Sequence, residues 1–113
     1  MEKINRYKNT VSTLLNEIAG WVKDDPIETQ SIIDHANGHY LLFSVGWYEN
    51  NKREYAPFLH IDVNENEKVY IQHDGTDLKI ALMLIDRGIE KQDIVLAFHA
   101  PQRRQYVEGF AIA

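Results

Sequence analysis

The chain has 113 residues, a net charge of −5 and no cysteine. That length suits one domain spanning 1–113, able to bury roughly two thirds of the surface its unfolded chain exposes. The missing thiols exclude a disulfide scaffold, thiolate metal sites and thiol catalysis, and the net acidity argues against a free-standing DNA binder, which needs a basic face.

Met1 runs into Glu2-Lys3-Ile4-Asn5-Arg6, which is no signal peptide, so a cytoplasmic location is expected. No apolar run approaches the roughly 20 residues a bilayer crossing needs. Ile4, Tyr7, Val11, Leu14, Leu15, Ile18, Trp21 and Val22 recur at spacings of three and four, which predicts an amphipathic helix. The opposite face holds Asn5, Lys8, Asn9, Ser12, Asn16 and Lys23, and several of these are indifferent helix formers. The helix must therefore rely on docking its apolar stripe. Asp24-Asp25-Pro26 ends it, because a residue before proline avoids helical angles.

Strands follow. Ile27 to His35 is β-branched, and Asn37-Gly38 predicts a two-residue type I′ hairpin. From His39 to Glu49, Leu41, Phe43, Val45 and Trp47 share one face, while Tyr40, Leu42, Ser44, Gly46 and Tyr48 share the other. Asn50-Asn51-Lys52 turns the chain into a strand over Arg53 to Val63, with Tyr55, Leu59, Ile61 and Val63 expected on the core side. Pro57 cannot donate to a ladder, so an edge or bulge is expected near it. Asn64-Glu65-Asn66-Glu67 leads to a fourth strand at Val69.

Next comes Asp74-Gly75-Thr76, read as a sharp turn whose Asp74 or Thr76 caps a second helix, with Gly75 supplying an angle barred to other residues. From Leu78 to Ile85 only Lys79 is polar, so this helix is apolar nearly all round. Leu78, Ala81, Leu82 and Ile85 make one core stripe; Ile80, Met83 and Leu84 are surplus, to be covered by helix one or by a partner chain. Gly88 is the left-handed stop, with Arg87 beside the negative helix end. Ile94 to Phe98 reads as a strand covered on both faces. The apolar ending Gly109-Phe110-Ala111-Ile112-Ala113 calls for a last short strand or a contact with another chain. The sum is α+β: an N-terminal helix, a four-strand antiparallel meander, a second helix and further strands completing one mixed or antiparallel sheet.

Catalytic constellations are not evident. No HExxH, EF-hand or phosphate-loop spacing occurs, and no serine has a nucleophile-elbow context. His60 and Asp62 share a strand face, and His73, Asp74 and Asp77 cluster at the turn. The simplest account is a solvated strand face beside a capped helix, with no metal and no cofactor; a small metal-dependent hydrolase on His60, Asp62, His73 and Asp77 stays open. Arg103, Arg104 and Tyr106 form the one local basic and aromatic cluster, a candidate contact for a partner or for nucleic acid. A direct DNA-binding regulator built on those arginines is a further alternative.

Several passages together resemble the XisI family of cyanobacteria, over nearly the whole chain. They are Val45-Gly46-Trp47, His60-Ile61-Asp62, the block from Ile71 to Asp77 continuing to Ile80-Ala81, Gly88-Ile89 with Lys91, Asp93 to His99, and the ending from Gly109 to Ala113. The family pattern usually has glycine near Ala56-Pro57, proline at Glu90, glycine at Ala97, proline at Ala100 and threonine at Glu108. The resemblance implies a controlling factor for site-specific excision of the fdxN element during heterocyst differentiation, working with a recombinase and with XisH. It brings no active site with it. The expectation is a non-catalytic factor that binds a XisH-like protein, reaches a recombinase–DNA complex indirectly, and forms a homodimer through the second helix or the tail. Its candidate contacts are Ile80, Met83, Leu84, Arg103, Arg104 and Tyr106.

Overall fold

A long amphipathic helix lies across one face of a five-stranded sheet. The computed structural model describes residues 2–21, 26–100, 102 and 109–111. Helix α1 spans Glu2–Trp21, and Tyr7, Val11, Leu14, Leu15 and Ile18 of its predicted stripe are fully buried. Val22 and the expected helix-ending Asp24 and Asp25 lie outside the described residues.

Strands β1 (Ile27–Asp34), β2 (His39–Trp47), β3 (Arg53–Val63) and β4 (Val69–Asp74) form the antiparallel meander. Helix α2 (Ile80–Asp86) then carries the chain over to β5 (Ile94–Leu96), which pairs parallel with β4. The sheet is therefore mixed, in the order β1-β2-β3-β4-β5. Ala111 of the apolar ending adds a bridge alongside Val95, and its N–H donates to the Ile94 carbonyl at 2.8 Å. Strand β5 is shorter than the expected run to Phe98: it stops at Leu96, and Phe98 is exposed. Ile94 and Val95 are nonetheless both fully buried, as a strand covered on two faces requires.

The hairpin at Asn37-Gly38 forms, but with four loop residues, 35–38, in place of the expected two. Asp34 explains the difference: its carboxylate accepts from the Asn37 N–H (3.1 Å) and side-chain amide (2.9 Å), closing a wider turn. Gly38 is the loop's left-handed residue, at φ +74°. A side chain there would also run into the Val63 carbonyl, since its Cβ would sit 2.1 Å from that oxygen.

The bulge near Pro57 is present. Leu42 pairs with Leu59 and Phe43 with Pro57, so Phe58 is the extra residue. It shifts the side-chain alternation by one and overturns one expectation. Leu59, Ile61 and Val63 face the core, but Tyr55 is thrown to the outer face at 65 % exposure. A second register shift, between His60 and Ile61, leaves Gln72 of β4 as its extra residue.

Helix α2 starts later than expected. Asp74 and Thr76 cap nothing in it. Asp74 Oδ1 accepts from the Thr76 N–H (2.9 Å) and hydroxyl (2.6 Å), holding a bend before the helix begins at Ile80. Gly75 is needed for space and not for its backbone angle, because a Cβ there would lie 3.0 Å from the Phe58 carbonyl. Late entry sets the helix phase: Ile80 and Leu84 point into the core, while Leu78 and Leu82 are exposed. The stripe read from sequence is thus rotated, because an element apolar all round carries no phase of its own. Gly88, at φ +98°, ends the helix as expected. Its N–H donates to the Ile85 carbonyl at 3.0 Å, and the Ile89 N–H donates to the Leu84 carbonyl at 3.1 Å, with Ile89 buried. Arg87 does not serve the helix end with its side chain. It makes a two-pronged contact with Glu17 of α1, at 2.8 and 3.0 Å.

One buried carboxylate ties the helix layer to the sheet. Asp93 sits immediately before β5 and is 4 % exposed. The Tyr7 hydroxyl donates to it at 2.6 Å, and Lys3 and Lys68 approach at 2.7 and 3.5 Å. Burial alone would raise its pKa. The hydrogen bonds from Lys3 and Tyr7 and the two lysine charges outweigh that and hold it below its ordinary 3.8. Its ionised form therefore stabilises the fold above about that pH, and the contribution is lost as pH falls through the lowered value. Tyr7→Phe should cost about 1–2 kcal/mol and Asp93→Ala about 2–3 kcal/mol, the second leaving the buried Tyr7 hydroxyl short of an acceptor. Urea unfolding at neutral pH and at a series of pH values falling below 3.8 checks both the cost and its decline in acid.

Candidate functional site

Helices α1 and α2 lie on the inner face of the sheet, and on its other face side chains of β2 and β3 meet solvent. At one end of that face lies an aromatic group. Trp47 and Tyr55 are 58 % and 65 % exposed. The Arg53 guanidinium lies 5.2 Å from the Trp47 ring centre and 5.7 Å from that of Tyr55, and Phe43 sits 5.5 Å from Tyr55. Trp47 pairs with Arg53 and Val45 with Tyr55, so the register itself builds the patch. Ile32, 45 % exposed, extends it on β1 opposite Leu41.

At the other end of the same face is a polar cluster. His39 of β2 pairs directly with Asp62 of β3, and His60 stands two residues earlier on that strand. His39 Nδ1 and His60 Nε2 each lie 2.8 Å from Asp62 Oδ1. Gln72 donates to the other oxygen, Oδ2, at 3.1 Å. Asp62 is nearly buried at 9 %, His60 is half-buried and His39 is open to solvent. The hydrogen bond to Asp62 raises the His39 pKa above its ordinary 6.5 against a small lowering by desolvation, and the charges of Asp62 and Asp34 add to the rise.

Of the four residues proposed from sequence for a hydrolytic centre, His60 and Asp62 come together and His73 and Asp77 do not join them. His73 folds back towards Gly75, and Asp77 borders a hollow beside Ile18 and Trp21 of α1. His39 is the member that sequence reasoning missed. Its pairing across a hairpin follows from register, which a strand's own pattern does not state. The hollow, of about 520 Å³, is walled mainly by Ile18, Trp21, Phe58 and Leu78, and is apolar without converging ionisable groups.

Among the candidate contact residues, Ile80 and Leu84 are fully buried and Met83 packs partly against the core. They belong to the inner layer, so the exposed apolar surface of this region falls to Leu78 and Leu82. Arg103, Arg104 and Tyr106 lie outside the described residues. No described helix is long and apolar enough to cross a membrane.

The architecture defines a small α+β protein whose five-stranded mixed sheet carries α1 and α2 on its inner face. The XisI protein family model matches residues 1–112, and the chain belongs to the XisI family. A XisI-like protein from Anabaena variabilis is 33 % identical and superposes with a TM-score of 0.89, over 97 % of this chain and 99 % of that one. The fdxN element excision controlling factor XisI from the same organism is 30 % identical, with a TM-score of 0.84, over 98 % and 99 % of the two chains. No curated protein matches significantly.

The His39–Asp62 contact has a pH signature. It stabilises the fold fully below about pH 6.5, and the contribution fades as pH rises through the raised His39 pKa. In proton NMR titrations the His39 ring should therefore titrate above 6.5, and Asp62→Asn should return it towards that value.

Proposed function

We propose that this chain is a non-catalytic controlling factor for DNA-element excision that acts by gripping another protein, a XisH-like polypeptide, and reaches the recombinase and its DNA only through that partner. Membership of a family that includes an fdxN element excision controlling factor supports the process. The observation that carries the contact is the outer sheet face, where two large aromatic rings and an arginine stand exposed side by side on a rigid ladder. Aromatic and arginine anchors of this kind dominate protein interfaces, and held on strands they lose little freedom on binding. The net charge of −5 favours a protein partner over a direct grip on phosphates.

Co-expression with a XisH-like protein from the same genome, followed by size-exclusion chromatography, tests the reading. The two chains should comigrate at micromolar concentration. Trp47→Ser with Tyr55→Ser should weaken the complex by about 2 kcal/mol or more, roughly thirtyfold, while leaving the melting temperature of the free chain almost unchanged. Separate elution of the wild-type chains would remove the reading. An unaffected double variant would move the contact to another surface.

A further inference from the structure

The polar end of the outer sheet face has the make-up of an ion site. We propose that His39, His60 and Asp62 bind a divalent transition ion of the zinc class through His39 Nδ1, His60 Nε2 and a carboxylate oxygen of Asp62, leaving one position open to solvent or to an outside donor.

The donor set comes first. Two imidazoles and one carboxylate suit zinc, cobalt, nickel or copper, whereas magnesium and calcium ask for oxygen ligands throughout. Among the described residues this is the group of three whose ligand atoms all lie within 4.8 Å of one another. A tetrahedral ion with bonds of about 2.0–2.1 Å needs donors about 3.3 Å apart. The two nitrogens stand 2.8 Å from Asp62 Oδ1, so each nitrogen–oxygen pair has to open by about half an ångström, within reach of small side-chain rotations. The ion would take the place of the protons that now bridge nitrogen and oxygen.

The supporting structure points the same way. The donors come from adjacent, register-paired strands, so the backbone fixes their spacing. Gln72 holds the second carboxylate oxygen at 3.1 Å, the outer contact that orients a ligating carboxylate. His39 is open to solvent, which provides an entry path and the free position. Asp34, close enough to act electrostatically on His39, adds negative charge near a dication. Ion binding here does not depend on the protein-contact reading and implies no reaction.

Calorimetric titration of the full chain with zinc chloride in a non-chelating buffer at neutral pH tests it. One ion per chain should bind saturably. His39→Ala and His60→Ala should each weaken binding at least tenfold, and Gln72→Ala by roughly tenfold. His73→Ala, in the register position opposite His60, should leave it unchanged. Cobalt should give a visible absorption band that His39→Ala abolishes, and circular dichroism shows that each variant remains folded. Absence of saturable zinc uptake would overturn the site. So would binding that survives both histidine variants, or that His73→Ala weakens as much as His60→Ala does.

Discussion

The fold depends on covering one face of a twisted sheet with the apolar stripe of α1. Five fully buried side chains of that helix, Tyr7, Val11, Leu14, Leu15 and Ile18, are worth on the order of 10 kcal/mol of burial, comparable with the whole stability of a domain this size. The helix's polar face is built from poor helix formers, so helix and sheet stand or fall together. Asp93 adds direction to this non-directional packing. Its partners Tyr7 and Lys3 come from the start of the chain, and Lys68 from the edge of β4. A carboxylate buried just before β5 gathers these donors and so ties the start of α1 to the entry of the last strand.

How much of this the residues announce depends on whether the information is local. The α1 stripe, the hairpin at Gly38, the stop at Gly88 and the fully buried pair Ile94 and Val95 are legible because each needs only a few neighbouring residues. The phase of α2 is not legible. Its apolar residues surround the axis, and the choice of Ile80 and Leu84 as the inner pair is made by the Asp74–Thr76 bend upstream. Tyr55 is misplaced for a related reason: proline announces an irregularity near residue 57, but not that Phe58 will be the extra residue and reverse everything before it. The candidate site shows the same division. His60 and Asp62 are found from strand alternation, whereas His39 joins them only once β2 is laid beside β3.

The consequence is an asymmetric molecule. Inward, the sheet is spent on the core; outward, β2 and β3 carry a graded surface, aromatic and cationic at Trp47, Arg53 and Tyr55, imidazole and carboxylate at His39, His60 and Asp62. The helix whose excess apolarity drew attention in the sequence is mostly occupied in the interior. Interaction surface is found instead on strands, where side chains stand in fixed rows and the cost of ordering them has been met by folding.

The most direct measurement is hydroxyl-radical footprinting of the chain alone and in complex with a XisH-like partner, read by mass spectrometry residue by residue. The account predicts that Trp47 and Tyr55 are oxidised readily in the free chain and strongly protected in the complex, while Leu82 and Trp21, on the helices, react equally in both. Protection confined to α1 or α2, with Trp47 and Tyr55 as reactive in the complex as without it, would contradict it.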